Sequence, residues 1–256
     1  MVCELSVFFL RLLHRCCIGL GLGILLVLSK AATAQGLGVA LWADAADSSH
    51  SVSFEGKQLQ LTTGSLGFRV ASEVPLIGEL RIDAGVGYAP DRDASFIGAK
   101  LEGDAELKVL GLGFRREMAL PNMANLVLAL EGHHLYQELQ GDFGGQFGRQ
   151  RASADMTATL KTSDFEVGLF RVMERSHLGL GVGLRYWDVS AQANGQLGES
   201  IRASTDADFT DTSVLVSATL MFPVFKRDMS VRYEWTQIPA DKSVAINRLT
   251  LRWRLR

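Results

Sequence analysis

Residues 178–186, LGLGVGLRY, alternate strictly between two kinds of side chain. The even-numbered positions from Leu178 to Tyr186 are large and apolar, whereas the odd-numbered positions hold three glycines and Arg185. Successive side chains of a β-strand point to opposite faces, so this period of two predicts a strand with one apolar face and one small or charged face. The same pattern recurs at residues 79–88, 231–235 and 248–255. The chain therefore repeats one kind of strand.

Ten segments follow this pattern, because each has its apolar residues either at odd-numbered or at even-numbered positions. They are centred on Leu37/Val39/Leu41, Leu66/Phe68/Val70, Leu80–Tyr88, Leu110/Leu112/Phe114, Leu126/Leu128/Leu130, Phe165/Val167/Leu169, Leu178–Tyr186, Val214–Phe222, Val231–Trp235 and Leu249–Leu255. The predicted fold class is all-β, and the architecture is an antiparallel up-and-down β-barrel of about ten strands, with eight as the alternative. An even strand number is typical of transmembrane barrels.

The aromatic residues form two sets that mark opposite ends of these strands. The four tyrosines of the chain, Tyr88, Tyr136, Tyr186 and Tyr233, follow one another at intervals of 48, 50 and 47 residues, and Trp235 lies beside the last. The complementary segments end in Phe68, Phe114, Phe170, Phe222 and Trp253. Aromatic side chains are enriched at both membrane–water interfaces. The two sets are interpreted as the two girdles of a transmembrane barrel.

The first 34 residues predict a secretory signal peptide. Arg11 and Arg15 precede the uncharged stretch 16–29, and Ala32-Thr33-Ala34 supplies an A-x-A cleavage site before Gln35. The alternative is an anchor helix, but about 14 apolar residues fall short of the roughly 20 that span a bilayer. The predicted domains are a signal peptide at 1–34 and an outer-membrane β-barrel at 35–256.

Composition excludes several functional classes. All three cysteines, Cys3, Cys16 and Cys17, lie within the predicted leader, so the mature chain has no disulfide, no catalytic thiolate and no cysteine metal site. Removing the leader leaves a net charge of about −4, because the leader holds three of the 26 basic residues and one of the 28 acidic residues. No basic stripe is present, so nucleic acid is not expected as a partner. No cofactor is expected either.

The connections between the predicted strands alternate between short and long. Segments near 121–122, 174–176 and 226–228 are short, whereas 90–104, 141–155 and 190–210 are long and polar. Short turns of outer-membrane barrels face the periplasm and long loops face outward. Both termini are then periplasmic, and the tyrosines mark the outer leaflet. Residues 141–148, GDFGGQFG, are interpreted as a loop tip with two exposed phenylalanines.

Three places depart from the alternation. Leu59 and Leu61 have the opposite parity to Leu66, and Leu107 and Val109 oppose Leu110. Either a β-bulge inserts one residue or these parts project above the membrane. His134 is expected to point at lipid near the headgroups, unless a bulge lies around Gly132.

If the apolar face contacts lipid, the other face fills the lumen with charge. It collects eight cations and six anions, with His133 beside them: Arg69, Arg81, Arg115, Arg185, Arg232, Arg248, Arg252 and Arg254, with Glu79, Asp83, Glu131, Asp164, Glu166 and Glu234. The bore of a ten-stranded barrel is close to the size that side chains fill, so these groups are expected to pair as a polar plug. The alternative is a path for small solutes or protons, with lumenal glycines supplying free volume.

Over residues 36–256 the chain resembles the small Gram-negative outer-membrane barrels, the size class of OmpA, OmpX and the omptin proteases. Its last strand, with Leu249, Leu251, Trp253 and Leu255 in alternation, resembles the signal read by the barrel-assembly machinery, although it ends at Arg256 and not in an aromatic residue. The resemblance implies as partners outer-membrane lipid and lipopolysaccharide, the barrel-assembly machinery and periplasmic chaperones, and it implies location in the bacterial outer membrane.

Two constellations are candidates for chemistry. Omptins use paired aspartates and an Asp-His pair on outer loops; here Asp91 and Asp93 follow one strand and Asp206 and Asp208 lie on a later loop, but no histidine accompanies them. The same four carboxylates are candidates for a Ca²⁺ site, with solvated loop acids as the alternative.

Glu131, His133 and His134 form the second constellation. A lipid-modifying barrel would place a His-Ser-Glu set at the outer leaflet, but no serine stands two residues beyond either histidine. Glu131 and His133 are therefore expected to bond within the plug.

The sequence predicts an integral outer-membrane barrel with a charge-plugged lumen and a structural, adhesive or surface-interaction role. The extracellular ligand is not identified by any motif. A narrow channel for small solutes is the first alternative, and an outer-leaflet enzyme, omptin-like or lipid-modifying, is the second.

Overall fold

The computed structural model describes residues 37–48, 52–54, 57–59, 62–89, 94–96, 99–121, 123, 125–199, 201–238 and 241–255. The predicted signal peptide, its cleavage site at Ala34/Gln35, and Asp91 and Asp93 lie outside the described residues. Within these ranges no helix is long and apolar enough to cross a membrane.

The described chain consists of strands joined by turns. The strands are β1 (Leu37–Ser48), β2 (Val52–Phe54), β3 (Lys57–Leu59), β4 (Thr62–Val74), β5 (Gly78–Ala89), β6 (Ala94–Phe96), β7 (Ala99–Ala119), β8 (Leu126–Phe147), β9 (Gln150–Val172), β10 (His177–Leu197), β11 (Ile201–Val224), β12 (Arg227–Ile238) and β13 (Asp241–Arg254).

Ten of these strands close into an antiparallel barrel. The sheet runs β5-β4-β1-β13-β12-β11-β10-β9-β8-β7, and β7 pairs back with β5 from Glu79↔Arg115 to Ala89↔Ala105. The short strand β6 adds to the outside edge of β7, and β2 pairs with β3 in a separate hairpin. The predicted ten-stranded barrel is confirmed, and the alternative of eight strands is wrong.

The short connections meet at one end of the barrel. Between β11 and β12 the turn is only two residues long, and Phe225 and Lys226 both have positive φ, at 50° and 63°. Two successive positive φ values define a type I′ turn, whose twist matches that of the flanking strands. The C-terminal end of β13 lies at the same end, where the Leu255 N–H donates to the Val39 carbonyl.

An apolar belt surrounds the outside of the barrel. Leu180, Val182 and Leu184 on β10 are 66, 58 and 57% exposed, and Leu110 and Leu112 on β7 are exposed to a similar degree. Their sequence neighbours face the lumen and are buried, as Arg185 shows at 3% exposure. A continuous outward belt of leucine and valine suits hydrocarbon and not water. The predicted assignment of faces is therefore present in the fold.

Five strands rise beyond this belt. Strands β7 to β11 are 21 to 24 residues long, whereas β1, β4, β5, β12 and β13 have 12 to 14 residues. The segments 141–155 and 190–210 are the ends of two hairpins, which turn at Gly148 and Gly198 with φ of +63° and +62°. Their prediction as long loops is wrong. We call this part the extracellular wall, because the sequence analysis predicts that the long connections face outward.

The polarity of the faces reverses in the extracellular wall. Leu107 and Val109 are 4 and 2% exposed inside the barrel, and β7 pairs with β5 and β8 in unbroken register. The proposed bulge in this strand is therefore wrong, and projection above the belt explains its parity. Phe143 also points inward and is buried, so its prediction as an exposed loop residue is wrong. Where water replaces lipid outside, apolar side chains turn inward.

The other two irregular places have different explanations. Leu59 belongs to β3, a different strand from Leu66 on β4, so their parities are independent; Leu61 lies outside the described residues. His134 is exposed on the outer face, and the register of β8 with β7 and β9 continues through Gly132 without a bulge.

Strand β10 passes through both the belt and the wall, so arginine substitutions on this one strand can test the two assignments. Val182→Arg should lower the free energy of unfolding in lipid vesicles by about 2–4 kcal/mol, because it places arginine in hydrocarbon. Gln192→Arg is the matched control: Gln192 has the same outward parity on β10 but lies in the wall, where no cost is expected. Urea titration measures both. Equal losses in the two variants would contradict the assignment of the belt.

Candidate functional site

The lumen contains a network of ion pairs, and its simplest member joins neighbouring strands. Arg69 on β4 and Asp83 on β5 are directly opposed in the register. The Arg69 Nε and Nη2 atoms donate to the two carboxylate oxygens of Asp83 at 2.6 and 2.7 Å. His133 Nε2 lies 3.1 Å from the same carboxylate. Both oxygens of Asp83 are thus engaged in a bidentate pair, the strongest arrangement for a guanidinium.

Arg185 forms a second centre on the opposite side of the barrel. It donates to both oxygens of Asp164, its register partner on β9, at 2.7 and 2.6 Å. It also donates to Glu234 on β12 at 2.9 Å. The guanidinium therefore joins three strands, and its burial makes each contact a charge-assisted bond in a low-dielectric interior.

Glu131 and Glu166 lie between these two sides of the barrel. They face each other in the register of β8 and β9. Directly opposed like charges destabilise a sheet unless cations neutralise them. Arg232 lies 3.6 Å from Glu131, and it also donates to Glu166 and, at 2.7 Å, to Glu234. Arg81 approaches Glu131 at 3.4 Å. The ion pairs that run from Glu79 and Arg81 to Arg185 and Asp164 therefore form one connected set.

The charged residues at the end of the barrel that carries the short turns are also paired. Arg81 donates to Glu79 at 2.5 Å, and Arg115 lies 2.8 Å from Glu131. The Arg115 guanidinium stacks over the ring of Phe170 at 4.5 Å. Phe170 is inward and only 4% exposed, so its prediction as a girdle residue is wrong.

Asp44 is a network member that the sequence analysis missed. Arg248 Nε and Thr250 Oγ1 on β13 each donate to Asp44 Oδ1 at 2.8 Å. Asp44 lies on β1 three residues beyond Leu41, where the predicted strand was taken to end. Extending the period of two from Leu41 would have placed Asp44 on the lumenal face, so the signal was present.

Large side chains lie over glycines of the lumenal face. A Cβ at Gly181 would lie 1.9 Å from Glu166 Oε1, and one at Gly85 would lie 2.6 Å from the indole of Trp42. The glycines therefore allow these side chains to lie flat against the barrel wall. The expected free volume at these positions is taken up.

An apolar layer covers the charge network toward the extracellular wall. Two clusters form it, and each is centred on an inward tryptophan: Trp42 with Leu107, Val109, Leu135 and Leu139, and Trp187 with Ile246, Ala46, Leu160, Val189 and Phe209. We call these two clusters the apolar septum. The tryptophan N–H groups are satisfied, since Trp42 donates to the Phe68 carbonyl at 3.1 Å and Trp187 donates to Ser213 Oγ at 2.7 Å.

A small cavity lies between the charge network and the septum. Its volume is about 70 Å³, and Trp42, Val109 and Leu135 line its apolar side. Arginines, acids and His133 line the rest, including Arg69 and Arg252. Its polar side is part of the network, so its chemistry is that of buried guanidinium groups.

The two aromatic sets lie at opposite ends of the outer surface. Tyr186 and Tyr233 are 46 and 44% exposed, and Trp253 at the other end is 41% exposed. The Tyr233 hydroxyl donates to Asn247 Oδ1 at 2.5 Å, and the Tyr88 hydroxyl donates to Asp104. An apolar ring with a hydrogen-bonded hydroxyl suits a lipid–water boundary.

Of the four loop carboxylates, the structure describes Asp206 and Asp208. Asp206 and Asp208 are exposed on the outward face of β11, opposite Gln192 and Ser190 of β10. In the described part of the chain no group of three or more His, Cys, Asp or Glu side chains is arranged to hold a metal ion.

The structure brings together a pair that the sequence analysis did not find. His134 Nδ1 lies 2.9 Å from Ser163 Oγ, and the two residues are register partners on β8 and β9 at the upper edge of the belt. The search for a serine along the same strand missed it, because the partner comes from the neighbouring strand. Over the described ranges no carboxylate hydrogen-bonds to this imidazole.

Comparison with solved structures supports the fold. The translocator domain of the autotransporter NalP from Neisseria meningitidis superposes with a TM-score of 0.53 over 91% of this chain and 94% of that domain, at 12% identity. The fold is that of an outer-membrane β-barrel. No family model and no curated protein matches the sequence.

Weaker alignments link the barrel to two other solved structures. The attachment invasion locus protein Ail of Yersinia pestis aligns with a TM-score of 0.31 at 10% identity, over 86% of this chain and 99% of that chain. A major outer membrane protein from Thermus thermophilus aligns with a TM-score of 0.40 at 10% identity, over 86% of this chain and 100% of that chain.

The charge network generates a stability prediction. Arg185→Met should lower the free energy of unfolding in lipid by about 3–5 kcal/mol, because Asp164 and Glu234 are left buried without their cation. Lys161→Met is the control, since Lys161 forms an exposed pair with Asp188 at 3.3 Å and should lose only about 0–1 kcal/mol. Urea titration of vesicle-inserted protein measures both. A loss at Arg185 no larger than at Lys161 would show that the network does not stabilise the barrel.

Proposed function

We propose that this protein is an integral outer-membrane barrel with a closed lumen, which anchors an extracellular β-structure for a structural, adhesive or surface-interaction role. The observation that carries the proposal is the double filling of the lumen: the ion-pair network lies below and the apolar septum lies above it. A barrel filled at two levels is suited to holding its strands in place and is unsuited to conduction.

The energetics of the network support closure. A solute that passed the level of Arg185 and Arg232 would separate these cations from Glu234, which both contact. Leaving one buried charge without its partner costs about 3–5 kcal/mol. The solute would then meet the septum, where Trp42 and Trp187 offer no polar contact beyond their satisfied N–H groups. Both levels therefore present an energetic barrier to a hydrated ion.

The extracellular wall supports the surface role. Its outward face is polar, with Gln192, Asn194, Asp206 and Asp208 among the exposed side chains, and its inward face is apolar and packed. Phe143, Ala152 and Leu197 form a cluster inside it. A wall with its own core holds its shape beyond the membrane, and the polar face is then available to partners in the medium.

Assembly partners belong to the same proposal. Cleavage near Ala34 would release the chain to periplasmic chaperones and the barrel-assembly machinery. Leu249 and Trp253 on β13 are 44 and 41% exposed on the outer face, which leaves the terminal-strand signal accessible to that machinery. The belt would then contact lipid, with lipopolysaccharide at the tyrosine end.

Conductance measurements test the closed lumen. Wild-type protein in planar bilayers should give no steady single-channel currents. A variant that opens both layers, with Trp42→Ala and Trp187→Ala in the septum and Arg185→Ala and Glu234→Ala in the network, should conduct, whereas either pair alone should not, because the other layer remains. Leu180→Ala with Leu184→Ala alters only the outer belt and should stay silent. Steady currents through the wild-type protein would overturn the proposal in favour of a narrow channel.

Shortening one hairpin tests the surface role. Gln140 and Thr157 are register partners, so a two-residue Asn-Gly turn in place of residues 141–156 closes the β8–β9 hairpin lower down. The variant should assemble in the outer membrane as the wild type does, but cells that display it should adhere less to surfaces. The matched control, Leu180→Ala, should adhere normally. Unchanged adherence of the shortened variant would remove this part of the wall from the surface role.

A further inference from the structure

Arg252 differs from the other lumenal arginines. Arg69, Arg81, Arg115, Arg185, Arg232 and Arg248 each lie within 4 Å of at least one carboxylate. Arg252 forms no ion pair with any residue that the structure describes, and its Nε atom is buried without a hydrogen-bond partner. A buried guanidinium N–H without an acceptor carries the full cost of desolvation.

A second unsatisfied donor lies on Arg69. Its Nε and Nη2 atoms are used by Asp83, but its Nη1 atom is buried and has no partner in the described part of the chain. Arg69 is only 9% exposed. Arg69 and Arg252 both line the cavity of about 70 Å³ beneath Trp42. The cavity is therefore bordered by two cations that each keep a donor unused.

The acids around the cavity do not neutralise this corner. Asp83 is held by Arg69 and His133, and Glu131 is shared among Arg81, Arg115 and Arg232. Arg252 is thus left as a cation with which no carboxylate of the described chain pairs, even though the lumen as a whole is close to balanced.

We propose that this cavity binds a small monovalent anion, of the size of chloride or nitrate, between Arg69 and Arg252. About two water molecules would fill the same volume, since each occupies roughly 30 Å³ in the liquid. Water satisfies the donors but leaves Arg252 without a counter-ion, whereas an anion supplies both an acceptor and a counter-ion. Trp42, Val109 and Leu135 line one side of the site.

Thermal unfolding of the full mature protein in detergent tests the proposal. The unfolding temperature should rise saturably when chloride replaces gluconate at constant ionic strength, by about 3 °C at ten times the dissociation constant. Arg252→Met should abolish this dependence. Arg254→Met is the matched control: Arg254 has the same parity on β13 but is half exposed at the rim, so its variant should keep the dependence. A chloride dependence that survives in Arg252→Met would overturn the site.

A second measurement does not need the variant to fold. Crystals of the wild-type protein grown in bromide should show an anomalous peak within hydrogen-bond distance of both Arg69 and Arg252. Ordered water in the cavity without an anomalous signal, together with an unfolding temperature indifferent to chloride, would show that solvent alone satisfies the donors. Neither result changes the conductance expected of a closed lumen, so this site and the proposed function succeed or fail separately.

Discussion

The need to present apolar side chains to hydrocarbon on the outside of a closed sheet determines the rest of this structure. Because successive residues of a strand point to opposite faces, every outward leucine or valine fixes the position of an inward neighbour. On β10 this places Arg185 inside as a direct consequence of Leu184 and Tyr186 outside. The interior of ten strands is close to the size that side chains fill, and the inward charges pair with one another there.

The same rule explains why polarity reverses above the belt. Once the strands leave the hydrocarbon, the outside becomes aqueous and apolar residues move to the inner face, as Val109 does one position before Leu110. The septum is the first layer of this reversed pattern. The apolar filling above the charges is therefore a consequence of strands that continue beyond the belt. The Arg185 guanidinium lies 5.6 Å from the centre of the Trp187 ring and so connects the charged layer to the apolar layer.

The barrel was predictable from sequence because leucine, valine and arginine make the period of two easy to recognise. The extracellular wall was not, because its inward residues are often alanine or glycine, as at Gly141, Ala152 and Ala154, and carry little apolar signal. Cross-strand contacts were also out of reach. Ser163 meets His134, and Arg248 meets Asp44, only through the register of separate strands, which the spacing along one strand does not contain.

The ion pairs also select the register, which the apolar pattern leaves open. A slip of one residue between β4 and β5 would turn the leucines inward, so the belt itself forbids it. A slip of two residues keeps every apolar side chain outward and is not forbidden by the belt. It would, however, replace the opposed pair Arg69↔Asp83 by Arg69 beside Arg81 in one direction, or by Arg69 beside Gly85 in the other. Both leave a buried guanidinium without its carboxylate, so the lumenal charges exclude the misregistered barrels that the lipid-facing residues would tolerate.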